Sequence, residues 1–164
     1  MQFIKNIAIV FLVILFASCK KEGFVPLTDP KADIPVNVSN ATEYRPGPTV
    51  VVSRANPTFN IVLEIPASSG RTIKEITKVA ATSGSSAPLF GTTGLYNTAP
   101  IPGNGTKATF STSLSEYTSK TGQAVPANNP PVNGVELTRQ FYFLITLDDG
   151  SQIVTQQVRV LVTP

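Results

Sequence analysis

Alternation of apolar and polar side chains recurs along the chain from residue 49 onward and predicts β-strands. In residues 58–65 (TFNIVLEI), Phe59, Ile61, Leu63 and Ile65 share one face. Residues 107–114 (KATFSTSL) alternate in the same way, and residues 49–54 (TVVVSR) form a run rich in β-branched side chains. A period of two residues is typical of a strand with one buried face. We therefore expect a strand in each of these three segments.

The last thirty residues carry the clearest pattern. Residues 135–147 and 152–163 flank the tetrapeptide Asp148-Asp149-Gly150-Ser151. Asp-Gly between two strand patterns is typical of a tight hairpin turn. The first arm is apolar on both faces, which favours a central strand. The second arm is expected to bury Val154, Val158, Val160 and Val162, and to expose Thr155, Gln157 and Arg159.

Other segments are less regular. Residues 72–82 (TIKEITKVAAT) combine helical spacing of Ile73, Ile76 and Val79 with many β-branched residues; we favour a strand, with a short helix as the alternative. Two long loops are expected at residues 83–106 and 115–134, which are rich in turn-forming residues or prolines. The proline-rich stretch 19–48 predicts an extended tether, with a possible short strand at 34–38.

About seven strands and no convincing helix indicate an all-β domain over residues 49–164. The ending FYFLITLDDGSQIVTQQVRVLVTP resembles the last two strands of immunoglobulin-like or fibronectin-III-like modules. This resemblance implies an immunoglobulin-like β-sandwich of about seven strands.

The first residues indicate export. Lys5 precedes an unbroken apolar run from Ile7 to Phe16, which is followed by Ala17, Ser18 and Cys19. This order is typical of a signal peptide over residues 1–18. The run is shorter than the roughly 20 residues that a transmembrane helix needs, so a membrane-spanning anchor is the weaker alternative.

The segment Leu15-Phe16-Ala17-Ser18-Cys19 resembles the lipobox of bacterial lipoproteins, and FASCKKE resembles lipoproteins of the Bacteroidota. The resemblance implies that a diacylglycerol is attached to the thiol of Cys19 and that the peptide is cut between Ser18 and Cys19. It also implies a place in the cell envelope, as an outer-membrane lipoprotein on the periplasmic or the surface-exposed face. A buried structural cysteine is the alternative.

Composition limits the chemistry. The chain has no histidine and one cysteine, which excludes Ser-His-Asp and Cys-His catalytic sites and a Cys/His zinc site. The net charge of +3 is too small to indicate a nucleic-acid partner. Asp148 and Asp149 are adjacent, but no D-x-D-x-D spacing accompanies them, so a hairpin turn is favoured over a calcium site. We expect no metal and no cofactor.

The remaining candidates are carboxylates and tyrosines. Four glutamates lie singly along the chain and are expected on solvated faces: Glu64, Glu75, Glu116 and Glu136. Tyr96 and Tyr117 fall in the predicted loops, where packing against the domain is favoured over stacking on a sugar or a protein partner.

The sequence therefore predicts a lipid-anchored, non-enzymatic binding or scaffolding module of the bacterial cell envelope, with an unknown protein or glycan partner. One alternative is an accessory ligand-binding component of an outer-membrane nutrient-uptake complex, in which loops 83–106 and 115–134 converge to make the site. A carboxylate-only hydrolase is the other alternative, and it requires two carboxylates across a cleft.

Overall fold

The computed structural model describes residues 34–43, 47–128 and 134–164. These residues are mostly β-strand, arranged in three sheets, with one α-helix. The predicted signal peptide (1–18), Ser18 and Cys19 lie outside the described residues. Within the described ranges, no helix has the length and apolar character needed to cross a membrane.

In chain order the strands are β1 (Asn37–Val38), β2 (Thr49–Ser53), β3 (Thr58–Glu64), β4 (Ile73–Thr82), β5 (Ile101–Pro102), β6 (Lys107–Ser113), β7 (Val135–Glu136), β8 (Gln140–Leu147), β9 (Gln152–Val154) and β10 (Arg159–Thr163). The α-helix, α1, spans Leu114–Thr121, and 3₁₀ helices span Ala67–Ser69 and Ala87–Phe90. The predicted strands at 49–54, 58–65 and 107–114 are thus confirmed to within a residue.

The first sheet has the order β1-β3-β6, and the second has the order β5-β4-β8-β9. All pairs in these two sheets are antiparallel. The third sheet has the order β2-β10-β7, in which β10 runs parallel to β2 and antiparallel to β7. A single bridge between Phe141 of β8 and Val158 links the second sheet to the third.

Side chains from all three sheets share one apolar core. The largest members with almost no exposure are Tyr117, Phe141, Phe143, Ile61, Leu63, Ile65, Ile76, Ile145 and Leu147. Phe141 lies at the centre of an aromatic cluster, with ring centroids 5.4 Å from Tyr96, 5.5 Å from Phe110 and 6.1 Å from Tyr117. Because the chain has one cysteine, it can form no internal disulfide, and this packing supplies most of the stability of the fold.

Residues 72–82 form a strand, as favoured, and its irregularities explain the helical spacing. The pairing of β4 with β8 shifts register between Ile73 and Glu75 and again between Ile76 and Lys78. Each shift adds a residue before the next inward position, so Ile73, Ile76 and Val79 all point into the core. A three-residue spacing of buried side chains therefore arises in a bulged strand.

The predicted hairpin is present, and its first arm is central. Strand β8 pairs with β4 on one side and with β9 on the other. Its side chains alternate between the main core and a smaller cluster on the opposite face. Tyr142 and Leu144 belong to this smaller cluster, together with Ala80 and Leu89. A strand covered on both faces explains why the segment is apolar throughout.

The second arm differs from the prediction at its middle. The arm is interrupted between β9 and β10, where residues 155–157 are not in a strand, so the alternation of buried and exposed side chains does not continue across it. Val158, Val160 and Val162 lie in the main core as predicted, whereas Val154 packs against the smaller cluster. Thr155, predicted to face water, is buried. Its hydroxyl accepts a hydrogen bond from the Phe143 amide at 3.1 Å, which compensates its burial.

The predicted loop 115–134 is wrong at its start, because residues 114–121 form the helix α1. The Ser113 hydroxyl caps the helix by accepting a hydrogen bond from the Glu116 amide at 3.1 Å. Gly122 ends it with a left-handed backbone at φ +67°, a conformation that glycine adopts without a steric cost. Leu114 and Tyr117 face the core, and the polar side chains face outward.

The folded unit also begins earlier than the predicted boundary at residue 49. Residues 34–43 belong to the same compact unit as the rest of the domain. Strand β1 pairs with β3, and Val38 is buried. The Asn40 side chain binds the β3 backbone through Val62 N (2.9 Å) and Asn60 O (2.8 Å). The possible short strand at 34–38 is thus real over two residues, and this part of the predicted tether is part of the domain.

Candidate functional site

The loop between β4 and β5 is fixed against the edge of β4. The Tyr96 amide donates to Val79 O at 2.7 Å, and the Asn97 side chain accepts a hydrogen bond from Val79 N at 2.7 Å. The same Asn97 side chain donates to Thr77 O at 3.2 Å and to Ala99 O at 2.8 Å. The Thr77 carbonyl and the Val79 amide have no neighbouring strand on this edge of β4, and the Asn97 side chain takes the place of one. Asn97 therefore holds residues 95–101 in place.

Tyr96 joins this loop to the core. It is 4% exposed, and its hydroxyl lies 2.7 Å from Thr112 Oγ1 on β6. Its ring meets those of Phe110 and Phe141 edge to face. Burial raises the pKa of Tyr96 to about 12, although the hydrogen bond with Thr112 opposes the rise. Tyr96 therefore stays neutral and positions the loop through its packing.

Helix α1 is held in place by Tyr117, which is completely buried. The Tyr117 hydroxyl accepts a hydrogen bond at 2.9 Å from the amide of Arg139, the residue before β8. Burial raises the pKa of Tyr117, which keeps this hydroxyl neutral at ordinary pH. The helix is thus connected to the segment that carries Arg139. Packing against the domain is confirmed for both loop tyrosines, and the alternative that they are exposed for stacking is wrong.

Between this loop and α1 lies an open cleft of about 330 Å³. Its polar lining residues supply both donors and acceptors: Asn97, Thr98, Ser111, Glu116 and Lys120. Pro100 and Ile101 add apolar surface. This volume lies at the lower end of the usual range for small-molecule sites, roughly 300–1,000 Å³. The loops predicted at 83–106 and 115–134 do therefore converge, through residues 95–101 and through the helix that replaces the second loop's start.

A smaller pocket of about 110 Å³ adjoins the cleft. Tyr96 and Lys120 line both. The other lining residues of the pocket include Leu95, Thr121 and Arg139. Lys120 is exposed and Arg139 half-buried. The charged lining residues of the cleft are therefore one acid and one base, Glu116 and Lys120, whereas those of the adjoining pocket are both basic.

Of the predicted carboxylates, only Glu116 lines the cleft. Its carboxylate accepts a hydrogen bond from the Thr112 hydroxyl at 3.0 Å. Glu64 pairs with Lys107 at 3.4 Å, Glu136 pairs with Arg159 at 2.9 Å, and Glu75 lies within 3.4 Å of the Thr77 hydroxyl. The described residues place no second carboxylate across from Glu116, so they do not form the pair that a carboxylate-only hydrolase requires.

Asp148 and Asp149 lie in the hairpin turn and bind Arg71. Arg71 Nε lies 3.1 Å from Asp148 Oδ1, and a terminal nitrogen of Arg71 lies 2.5 Å from Asp149 Oδ2. The hydrogen bond from the Thr72 amide lowers the pKa of Asp148, and Arg71 lowers it further. The turn interpretation is confirmed. No group of three potential metal ligands occurs in the part of the chain that the structure describes.

Sequence reasoning missed Lys120, Arg139 and Asn97. A local signal for the helix was available, because Ser113 followed by Glu116 three residues later is the capping-box pattern, and Gly122 is a typical terminator. No local signal marks Arg139, which lies 19 residues after Lys120 and reaches the pocket only through the fold.

Comparison with known proteins gives no match: no family model, no curated protein and no solved structure is significantly similar to this chain.

Proposed function

We propose that this protein is a lipid-anchored, non-enzymatic binding module of the bacterial cell envelope, which holds a glycan-type ligand in the cleft between residues 95–101 and α1. The observation that carries the proposal is the convergence of two separate chain segments on one concave, polar surface. Both segments are fixed to the body by buried tyrosines, so the cleft is formed before a ligand arrives. A preformed site loses less conformational entropy on binding.

The lining suits a hydroxylated ligand. Sugar hydroxyls both donate and accept hydrogen bonds, and the cleft offers amide, hydroxyl, carboxylate and ammonium groups within one surface. Pro100 and Ile101 provide apolar contact for the carbon side of a sugar ring. The absence of tryptophan from the sequence means that recognition rests on these hydrogen bonds more than on ring stacking.

For the scaffold we propose an immunoglobulin-like sandwich. The order β1-β3-β6 in one sheet and β5-β4-β8-β9 in another supports it, because immunoglobulin-type domains separate strands A, B and E from strands C, F and G. In this assignment β8 and β9 form the F–G hairpin, and β10 continues strand G beside β2. Loops at one end of such sandwiches commonly carry binding sites.

For the anchor we propose lipidation of Cys19 after removal of residues 1–18. Expression in a bacterium supplied with an alkyne-tagged fatty acid tests it. The chain should become labelled and sediment with membranes, and Cys19→Ser should abolish both. The matched variant Ser18→Ala keeps a small residue at the cleavage site and should retain the label. Labelling that survives Cys19→Ser would contradict the anchor.

We propose a non-enzymatic role because the described lining of the cleft has one carboxylate and the sequence has no histidine to act as a general base. The converging loops also favour a more specific role, as the ligand-binding accessory of an outer-membrane uptake complex. Chemical crosslinking in intact cells should then join this protein to an outer-membrane transporter. If no transporter is crosslinked, the simpler binding module is the better account.

Calorimetry with the full chain tests the cleft. The probes are maltose, chitobiose and glucuronosyl-xylose. We expect at least one of them to bind and the variant Ser111→Trp, which fills the cleft, to weaken binding at least about tenfold. Thr109→Trp is the matched control, because Thr109 is exposed on the same face of β6 and does not line the cleft. Absence of binding by all three sugars, or equal binding by both variants, would contradict the proposal.

A further inference from the structure

Two basic side chains, Lys120 and Arg139, line the 110 Å³ pocket, and neither has a carboxylate partner in the described part of the chain. By contrast, Arg71, Lys107 and Arg159 each pair with at least one carboxylate. Two like charges on one small pocket repel each other, and that cost is relieved when an anion binds between them.

The partial negative charge of the helix C-terminus does not neutralise this pocket. Lys120 and Thr121 lie in the last turn of α1, whose C-terminus carries about half a negative charge. Two full positive charges exceed this partial charge, so the pocket remains positive. The nearest carboxylate that lines the cleft is Glu116, one helical turn before Lys120, and the structure places no ion pair between them.

The backbone segments that carry both cations are fixed by the fold. Lys120 belongs to a helix that is capped by Ser113 and packed through Tyr117. The Arg139 backbone donates a hydrogen bond to the same Tyr117 hydroxyl at 2.9 Å. One buried side chain therefore holds the two segments that carry the charges. A pocket with an arginine and a lysine on fixed segments favours a carboxylate, which arginine binds in a planar, two-point geometry.

The adjoining cleft restricts the rest of the ligand. Glu116 would repel a second anionic group, whereas it accepts hydrogen bonds from hydroxyls. Lys120 lines both spaces, so a ligand that spans them presents its charge beside Arg139 and its neutral, hydroxylated part beside Glu116.

We propose that the pocket binds the carboxylate of a sugar acid, with Lys120 and Arg139 as its ligands and the neutral remainder of the sugar in the cleft. This inference rests on the proposed function and adds the class of ligand, a hydroxylated compound that carries one carboxylate.

The experiment measures binding of the full chain to glucuronosyl-xylose and to its methyl ester by calorimetry in low salt. Glucuronosyl-xylose should bind at least about tenfold more tightly than the ester, because the ester lacks the charge. Arg139→Gln should lower the affinity for the acid at least about tenfold and leave the affinity for the ester nearly unchanged, and Lys120→Gln should lower the affinity for the acid at least about tenfold and the affinity for the ester by less. Thermal melting of each variant verifies that it is folded.

Lys74→Gln is the matched control, because Lys74 is exposed and lines neither the cleft nor the pocket. It removes the same charge and should retain the affinity of the wild-type chain. Equal binding of acid and ester, or equal effects of all three variants, would overturn the inference. A sulfated galactose disaccharide that bound as tightly as the acid would overturn the choice of a carboxylate.

The inference and the proposed function can fail separately. If maltose binds in the cleft, is blocked by Ser111→Trp and is not exceeded by glucuronosyl-xylose, the proposed function stands and the carboxylate inference falls. If no sugar binds, both fall.

Discussion

Two regions of this protein contain basic side chains whose charges have different surroundings. At the hairpin turn between β8 and β9, Arg71 lies within 3.1 Å of Asp148 and 2.5 Å of Asp149. At the end of α1, Lys120 and Arg139 line one pocket without a carboxylate partner among the described residues. The first region pairs its arginine with carboxylates of the same chain, whereas the second has no such pair among the described residues. Basic residues are informative about function when the fold brings them together and leaves them without carboxylate partners.

The two regions share a core. Phe141 lies on β8, the hairpin's first arm, and its ring also contacts Tyr96 and Tyr117, which shape the cleft. Changes at Phe141 should therefore affect both regions, while changes within either region should stay local.

The largest expected effect follows from Phe141→Ala. Removing this completely buried ring leaves a cavity at the centre of the aromatic cluster, and we expect unfolding to become easier by about 3–5 kcal/mol. Urea unfolding followed by circular dichroism measures the loss. Phe90→Ala is the control, because Phe90 is 74% exposed and its loss should change stability by no more than about 0.5 kcal/mol. Similar losses in the two variants would contradict the proposed core.

Alkaline pH should weaken the cleft side of the molecule. In the unfolded chain a tyrosine loses its proton near pH 10. The pKa of Tyr96 is about 12 in the fold, and burial also raises the pKa of Tyr117. Above pH 10 the unfolded chain thus releases protons that the folded chain keeps, so the free energy of unfolding falls as pH rises from 10 to 12. Urea unfolding at a series of pH values measures this slope, which Tyr96→Phe should reduce. An unchanged slope would argue against a buried Tyr96 hydroxyl.

A smaller effect is expected from Gly150→Ala at the hairpin. Gly150 has φ +84°, where an alanine side chain costs roughly 1–2 kcal/mol, and no atom lies within 4 Å of the added carbon. Stability should fall by that amount while sugar binding is unchanged. Gly91→Ala is the matched control, because φ at Gly91 is −110° and its added carbon makes ordinary contacts. A loss of sugar affinity in Gly150→Ala would break the separation between the two regions.

The smallest effect is expected from Arg71→Gln, because the ion pairs at the turn are partly exposed. The fold lowers the pKa of Asp148, so the stability it contributes is present above pH 4 and is lost as pH falls through the folded pKa. Removing Arg71 raises that pKa toward its ordinary value. The variant should therefore lose less stability than the wild-type chain on acidification from pH 4 to pH 2, as measured by thermal melting. An unchanged acid dependence would mean that the Thr72 amide alone sets this pKa.

Features that depend on neighbouring residues could be predicted from the sequence, whereas features that depend on contacts between distant residues could not. The hairpin was predictable because Asp149-Gly150 and the alternation in β8 are local. Strand β4 was ambiguous because its two bulges imitate helical spacing. The break at residues 155–157 changed the face of Thr155, and a period of two cannot anticipate such a break.

The cleft could not be predicted for the same reason. Tyr96, Lys120 and Arg139 lie tens of residues apart and meet only after the sheets are assembled. The segment after β6 was interpreted as a loop, although Ser113 and Glu116 form a capping pattern, so the side of the cleft that α1 contributes was missing. The expectation that two loops converge holds only for residues 95–101, because the second side of the cleft is the helix α1, and the charged residues of the site came from the structure.

Backbone amide NMR of the full chain titrated with glucuronosyl-xylose tests the central claim most directly. We expect shifts at residues 94–99, at Ile101, at residues 116–121 and at Arg139, with no shift at Arg71 or at the turn 148–151. Titration with the methyl ester should leave Arg139 unaffected. Shifts confined to the hairpin turn, or no shifts at Lys120 and Arg139, would contradict the claim that the unpaired charges form the binding site.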